Sequence, residues 1–123
     1  SLDIENGKEL RNHIYKSNIW ENFVFTELYK SQGLDPNKSL FFYRDQNGVE
    51  IDFFVERKSK ITLIEVKDAE KVDKKKLNFK KVAPLINENV KCILANRCQG
   101  DTVYKLENME MINPLNCEIW PID

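Results

Sequence analysis

Asp52, Glu65 and Lys67 stand where a protein normally places apolar side chains. They interrupt two strand-like runs, Ile51-Asp52-Phe53-Phe54-Val55 and Leu63-Ile64-Glu65-Val66-Lys67. Two carboxylates brought together offer the hard oxygen ligands that Mg²⁺ or Mn²⁺ prefers. A metal held there would lower the pKa of a bound water and polarise a phosphate oxygen. Lys67 beside it would orient the water or offset charge developing on a phosphorane. The chemistry implied is hydrolysis of a phosphodiester. Glu-x-Lys alone is weak, because it also describes a salt bridge at a strand end. Asp52 followed thirteen positions later by Glu-x-Lys, each inside an apolar run joined by one turn, is more specific.

The elements that must position these groups are two strands. Side chains alternate faces along a strand. Ile61, Leu63, Glu65 and Lys67 therefore share a face. So do Glu50, Asp52, Phe54 and Glu56, with Val49, Ile51, Phe53 and Val55 opposite. Paired through the polar turn Arg57-Lys58-Ser59-Lys60, strands over 49–56 and 61–67 set Asp52 beside Glu65. An aromatic strand, Leu40 to Arg44, precedes them across Asp45-Gln46-Asn47-Gly48. Asn-Gly is a strong hairpin signal, since both residues tolerate positive φ.

A first helix is expected from about Gly7 to Ser31, with Leu10, Ile14, Val24, Phe25 and Leu28 on one side. Tyr15, Ile19 and Phe23 point elsewhere, so this helix should lie between the sheet and another surface. Gly33 and Pro36 end it. Glu21 falls inside the apolar stripe, three residues before Val24 and four before Phe25. A carboxylate there is costly unless paired or metal-bound; snorkelling or capping is the plainer alternative.

A lysine-rich helix is expected from about Asp73 to Asn87, kinked or shortened by Pro84. Val90 to Ala95 reads as a buried strand parallel to a neighbour. Thr102–Leu106 and Cys117–Trp120 are weaker strand candidates. The order helix, three meandering strands, helix, strand predicts a mixed sheet flanked by helices, an α/β or α+β sandwich.

The 123 residues suffice for one domain with a core, and 41% hydrophobic with 32% charged content marks a globular chain. Net charge is −1, so contact with nucleic acid would need a local basic patch. Lys71, Lys74 and Lys75, with Lys76, Lys80 and Lys81, could form one. An ordinary solvated helix face is the plainer reading, since Glu70 and Asp73 dilute the run. The three cysteines form no C-x-x-C pair and read as reduced thiols of a cytoplasmic protein, not zinc ligands. No apolar run approaches the ~20 residues that span a bilayer, and no basic-then-apolar leader opens the chain. It does not begin with Met, which suggests either a piece of something longer or a leftover first residue. His13, the only histidine, has no nucleophile motif near it. Trp20 and Trp120 read as packing residues, and Phe41, Phe42 and Tyr43 as sheet core.

Three motifs in order are quite specific together: Trp20-Glu21-Asn22-Phe23-Val24; Leu40-Phe41-Phe42-Tyr43-Arg44-Asp45 with Gly48-Val49-Glu50-Ile51-Asp52-Phe53; and Ile64-Glu65-Val66-Lys67. The stretch from Gly7 to Cys98 resembles the PD-(D/E)XK nuclease superfamily. More closely, it resembles the uncharacterised nuclease-like C-terminal domain of prokaryotic AAA-type ATPases. The resemblance implies a restriction-endonuclease-like α-β-β-β-α-β core. It implies Asp52 and Glu65 as ligands of Mg²⁺ or Mn²⁺, Lys67 as the catalytic lysine and Glu21 as a helix-one acid. The implied activity is metal-dependent cleavage of DNA. The implied partner is an ATPase module on the same full-length chain, N-terminal to this part. No G-x-x-x-x-G-K-[ST] loop is present, so no ATP site is expected within these residues. The alternatives are a catalytically silent nuclease-fold module that binds nucleic acid or protein, and a toxin–antitoxin or homo-oligomerisation element using the aromatic first helix. No membrane partner is expected.

Overall fold

Apolar residues on both faces of the stretch 51–66 force the chain to cover a hairpin from two sides. In the computed structural model, which describes residues 4–86, 89–100 and 103–122, the hairpin is β2 (Glu50–Arg57) and β3 (Lys60–Val66). It lies within a six-stranded mixed sheet. The other strands are β1 (Leu40–Arg44), β4 (Val90–Ala95), β5 (Tyr104–Leu106) and β6 (Met109–Ile112), in the order β1-β2-β3-β4-β6-β5. β4 runs parallel to both β3 and β6, and the remaining pairs are antiparallel.

A helix, α1 (Ile4–Thr26), widens into a π turn over Glu27–Ser31 and covers one face. Trp20, Val24 and Leu28 pack there on Phe53, Val55, Ile64, Ile93 and Ala95. The second face is covered by a 3₁₀ turn (Lys74–Lys76), a short helix α2 (Phe79–Val82) and another 3₁₀ turn (Ala83–Leu85). Leu77, Phe79 and Val82 pack there on Ile51, Leu63, Cys92 and Leu94. β3 and β4 are thus covered on both sides, which is why each reads as an almost unbroken apolar run. The molecule is a mixed α/β fold.

The expected continuous helix over 73–87 is broken into three pieces. Leu77 is extended (φ −89°, ψ 146°), so the backbone bends inward there to bury Leu77 and Phe79. Pro84 lies at the start of the last 3₁₀ turn, where its missing N–H costs nothing. Cys117–Trp120 is not a strand; β6 takes the place beside β4, and Trp120 and Ile122 close the edge of the α1-side core. Of the expected strand 102–106, Thr102 lies outside the described residues, as do the side chains of Leu10, His13 and Ile14. Tyr15 and Ile19, expected to meet a second surface, are exposed. Phe42, expected in the sheet core, is 71% exposed.

The two hairpin turns differ in their use of backbone strain. At 45–48 only Gly48 takes positive φ (79°), and Asp45 Oδ1 accepts the Asn47 and Val49 N–H groups. The β2–β3 turn places two side-chain-bearing residues, Lys58 (φ 53°) and Ser59 (φ 62°), in the left-handed region.

A candidate acidic cleft at the end of the β2–β3 hairpin

Strict alternation fails at Asp52, and that failure builds the site. β1 pairs Phe41 with Phe54 but Tyr43 with Ile51. Phe42 therefore faces two residues, Asp52 and Phe53, in a β-bulge. Ile51 consequently leaves the Phe53–Val55 cluster and joins the α2-side cluster, against the expectation that all three share a face. The β2–β3 register ends at Phe53 opposite Ile64; one step further would set Asp52 opposite Glu65. The Asp52 side chain instead swings into the plane of the sheet, where Oδ2 accepts the Val66 N–H at 2.7 Å. From there it influences groups on both sides.

Glu65 is 3% exposed. Its Oε2 accepts the Asn78 N–H at 2.8 Å, and the Asn78 amide in turn donates to the Glu50 carbonyl at 2.9 Å. Burial pushes the Glu65 carboxyl up to about 7; the Asn78 N–H and Lys67 oppose this, and the Asp52 charge adds to it. Asp52 is raised by burial, with the Val66 N–H and Lys67 pulling it back. Glu21, half-buried on α1, is raised by burial and then by Asp52 and Glu50. Lys67 follows β3, its own N–H on the Ala95 carbonyl. Among the described residues its ammonium makes no ion pair, yet both carboxylates feel its charge. The four residues named by the sequence are thus linked electrostatically through Asp52 of β2: Glu21 from α1, Glu65 from β3 and Lys67 from the position just after β3. Cys92 lies close enough to Glu65 for that charge to add to burial in pushing its thiol up to about 11, so it remains protonated.

A cleft of about 640 Å³ opens between α1 and the loop after β3, and Glu21, Asp52, Lys67, Asp68, Lys71 and Lys76 are among its walls. Glu65 is not among them; the segment at Asn78 covers it. Of the three candidate nucleic-acid-binding lysines, Lys71 borders this cleft. Lys74 borders a separate small apolar recess with Leu77 and Phe79, and Lys75 borders neither. A larger groove of about 750 Å³ lies at the far end of the sheet, beside Lys60 and Lys91, and contains none of the four site residues.

Residues 16–117 match the family described as Domain of unknown function (DUF4143). The chain belongs to that family. No curated protein and no solved structure matches it. The stretch matching DUF4143 contains Glu21, Asp52, Glu65 and Lys67, and also the supports that sequence reasoning missed. Asn78 and the Val66 amide fix the carboxylates. Asp68 pairs with Arg97, whose guanidinium lies 4.4 Å from the Trp20 ring centre. That contact ties the loop after Lys67 to α1 and to the end of β4. These partners are separated by 13 to 77 positions, and no local pattern marks them.

The donor set suits a hard divalent cation. It is all oxygen, and its carboxyls are raised by burial, with the Asp52 charge adding to the shift at Glu65 and Glu21, a cost that a cation would discharge. Among the described residues no three His, Cys, Asp or Glu side chains converge at metal-binding distance. Two carboxylates are nevertheless enough for Mg²⁺, which usually keeps several waters and shares substrate phosphates. No helix among the described residues is long and apolar enough to cross a membrane.

Proposed function

We propose that this domain is a PD-(D/E)XK-type endonuclease module that hydrolyses DNA phosphodiesters with Mg²⁺ or Mn²⁺, and that it works beside an AAA-type ATPase module of the same full-length chain. One observation carries the reading. Asp52, at a bulge in β2, accepts the backbone N–H of Val66, the residue between Glu65 and Lys67, and Lys67 lines the cleft with no ion pair among the described residues. The order α1, β1, β2, β3, α2, β4 is the one a restriction-endonuclease-like core requires, which supports the proposal further.

In this reading Asp52 and Glu65 hold the cation. When bound, the cation supplies a polarised phosphate oxygen and a water of lowered pKa. The Val66 N–H fixes Asp52 Oδ2 and leaves Oδ1 to ligate. Asn78 holds Glu65 in the same way. Lys67 donates to the phosphate and offsets charge in the transition state. Glu21, across the cleft on α1, orients the attacking water. Lys71 and Lys76 bind flanking phosphates.

A silent nuclease-fold module is the second reading. The burial of Glu65 behind Asn78 favours it, since a ligand must be reachable. Supercoiled, linear and branched DNA incubated with Mg²⁺ or Mn²⁺ separates the two. Nicking or cutting that disappears in Asp52→Ala and Lys67→Ala supports the enzyme. Calorimetric Mn²⁺ binding that Glu65→Gln weakens, with no cleavage of any DNA, supports the silent module.

A further inference from the structure

A single exposed phenylalanine needs no explanation, but three rings converging on a recess beside a carboxylate do. Phe42 stands directly across from the bulged pair Asp52–Phe53. Its ring centre lies 5.6 Å from that of buried Phe53, and Phe53 lies 6.1 Å from Phe25. The Phe42 ring is tilted by 41° against Phe53 and stays 71% exposed, so one face is open to solvent. Phe25, Phe42 and Phe53, with Glu21 and Asn22, enclose a recess of about 220 Å³. Its floor is aromatic and its rim carries one carboxylate and one exposed amide. Glu21 also lines the acidic cleft with Asp52 and Lys67, so the two spaces share a wall.

We infer that this recess receives an unpaired nucleobase from the strand whose phosphate lies at Asp52 and Lys67, an inference that rests on the phosphodiester reading above. A base offers a π-face to Phe42 and a hydrogen-bonding edge to Asn22 and Glu21, matching the apolar floor and polar rim. Aromatic stacking tolerates every base. A base paired inside a duplex cannot present its face without first leaving the stack. The substrate class is therefore DNA with splayed bases, such as single strands, flaps or junction arms, in preference to intact duplex.

The test is fluorescence anisotropy with a labelled short single-stranded DNA and with the same strand in a blunt duplex, at low salt with chelator present. Wild-type protein is expected to bind the single strand more tightly. Phe42→Ala should weaken single-strand binding about tenfold, as loss of one stacked base does, and leave duplex binding unchanged. Phe42→Trp should restore it. Equal single-strand binding by wild type and Phe42→Ala, with Lys67→Ala weakening both DNAs, would overturn the recess and leave the phosphate-binding reading standing. No binding of either DNA by wild type would overturn both. A wild-type dimer in sedimentation that Phe42→Ala converts to monomer would make the recess a protein interface and also overturn the inference.

Discussion

The Asp52 carboxylate takes the place of a strand carbonyl for Val66. Val66 N–H points toward β2 where the ladder has stopped, and Asp52 Oδ2 accepts it at 2.7 Å. The bulge opposite Phe42 carries the β2 backbone out of register, and the side chain supplies the missing acceptor. Asp52 is thereby tied to the backbone between Glu65 and Lys67, and the acid cannot be altered without touching the segment that carries both.

Asp52→Ala removes that acceptor and leaves the Val66 amide without a partner. The expected loss is about 1–2 kcal/mol in urea unfolding. Asp52→Asn retains an oxygen for the amide and should recover most of that stability. On the proposed reading both variants lose metal-dependent cleavage. Equal stability of the alanine and asparagine variants would show that the bond contributes nothing to the fold.

Glu65 makes the protein less stable as pH rises. Its carboxyl is raised from 4.5 to about 7, so the folded state holds this proton more tightly than the unfolded chain does. The associated stability is fully present below about pH 4.5 and lost as pH climbs to about 7. The raised Asp52 and Glu21 carboxyls act in the same direction. Glu65→Gln keeps an acceptor for Asn78 and never ionises. With chelator present it should match wild type at about pH 4 or below and exceed it by about 3 kcal/mol or less above about pH 8. Parallel unfolding curves for the two proteins across this range would refute the assignment.

Lys58 and Ser59 occupy left-handed backbone that Asn and Gly adopt more easily. The double substitution Lys58→Asn with Ser59→Gly should raise stability by roughly 1 kcal/mol, read as a higher denaturant midpoint at unchanged slope. Because the turn lies at the opposite end of the hairpin from Asp52, DNA binding should stay as in wild type.

Basic residues on the cleft differ from those beside it. Lys71 and Lys76 line it and Lys75 does not. Lys71→Glu or Lys76→Glu should weaken DNA binding and lower the salt slope by about one unit each. Lys75→Glu should have the smaller effect in the same titration. Identical losses at all three positions would mean a diffuse basic field and no defined phosphate track.

Much of the fold was legible because its signals are local. Period-two alternation, polar turns and an apolar stripe placed α1, the β2–β3 hairpin and the parallel β4 within a few residues of where they lie. The hairpin alone brings Asp52 near Glu65, because pairing through a two-residue turn leaves little choice of register. The lysine-rich segment misled, since its composition suits a helix while burying Leu77 and Phe79 demands a bend. Cys117–Trp120 misled for a related reason: Trp120 and Cys117 pack at the edge of a core and do not enter the sheet, while Ile119 is exposed.

The chain by itself determined which residues could do chemistry and which strands carry them. The tertiary structure decided how they are used. The bulge at Asp52 exists only because β1 pairs with β2 in a shifted register, and no pattern within β2 announces it. The same shift brings Phe42 across from Asp52, where its ring stays open to solvent. The cover over Glu65 comes from Asn78, thirteen positions along the chain, and depends on where α2 docks. Such contacts follow from packing between distant segments, whose register local sequence does not encode.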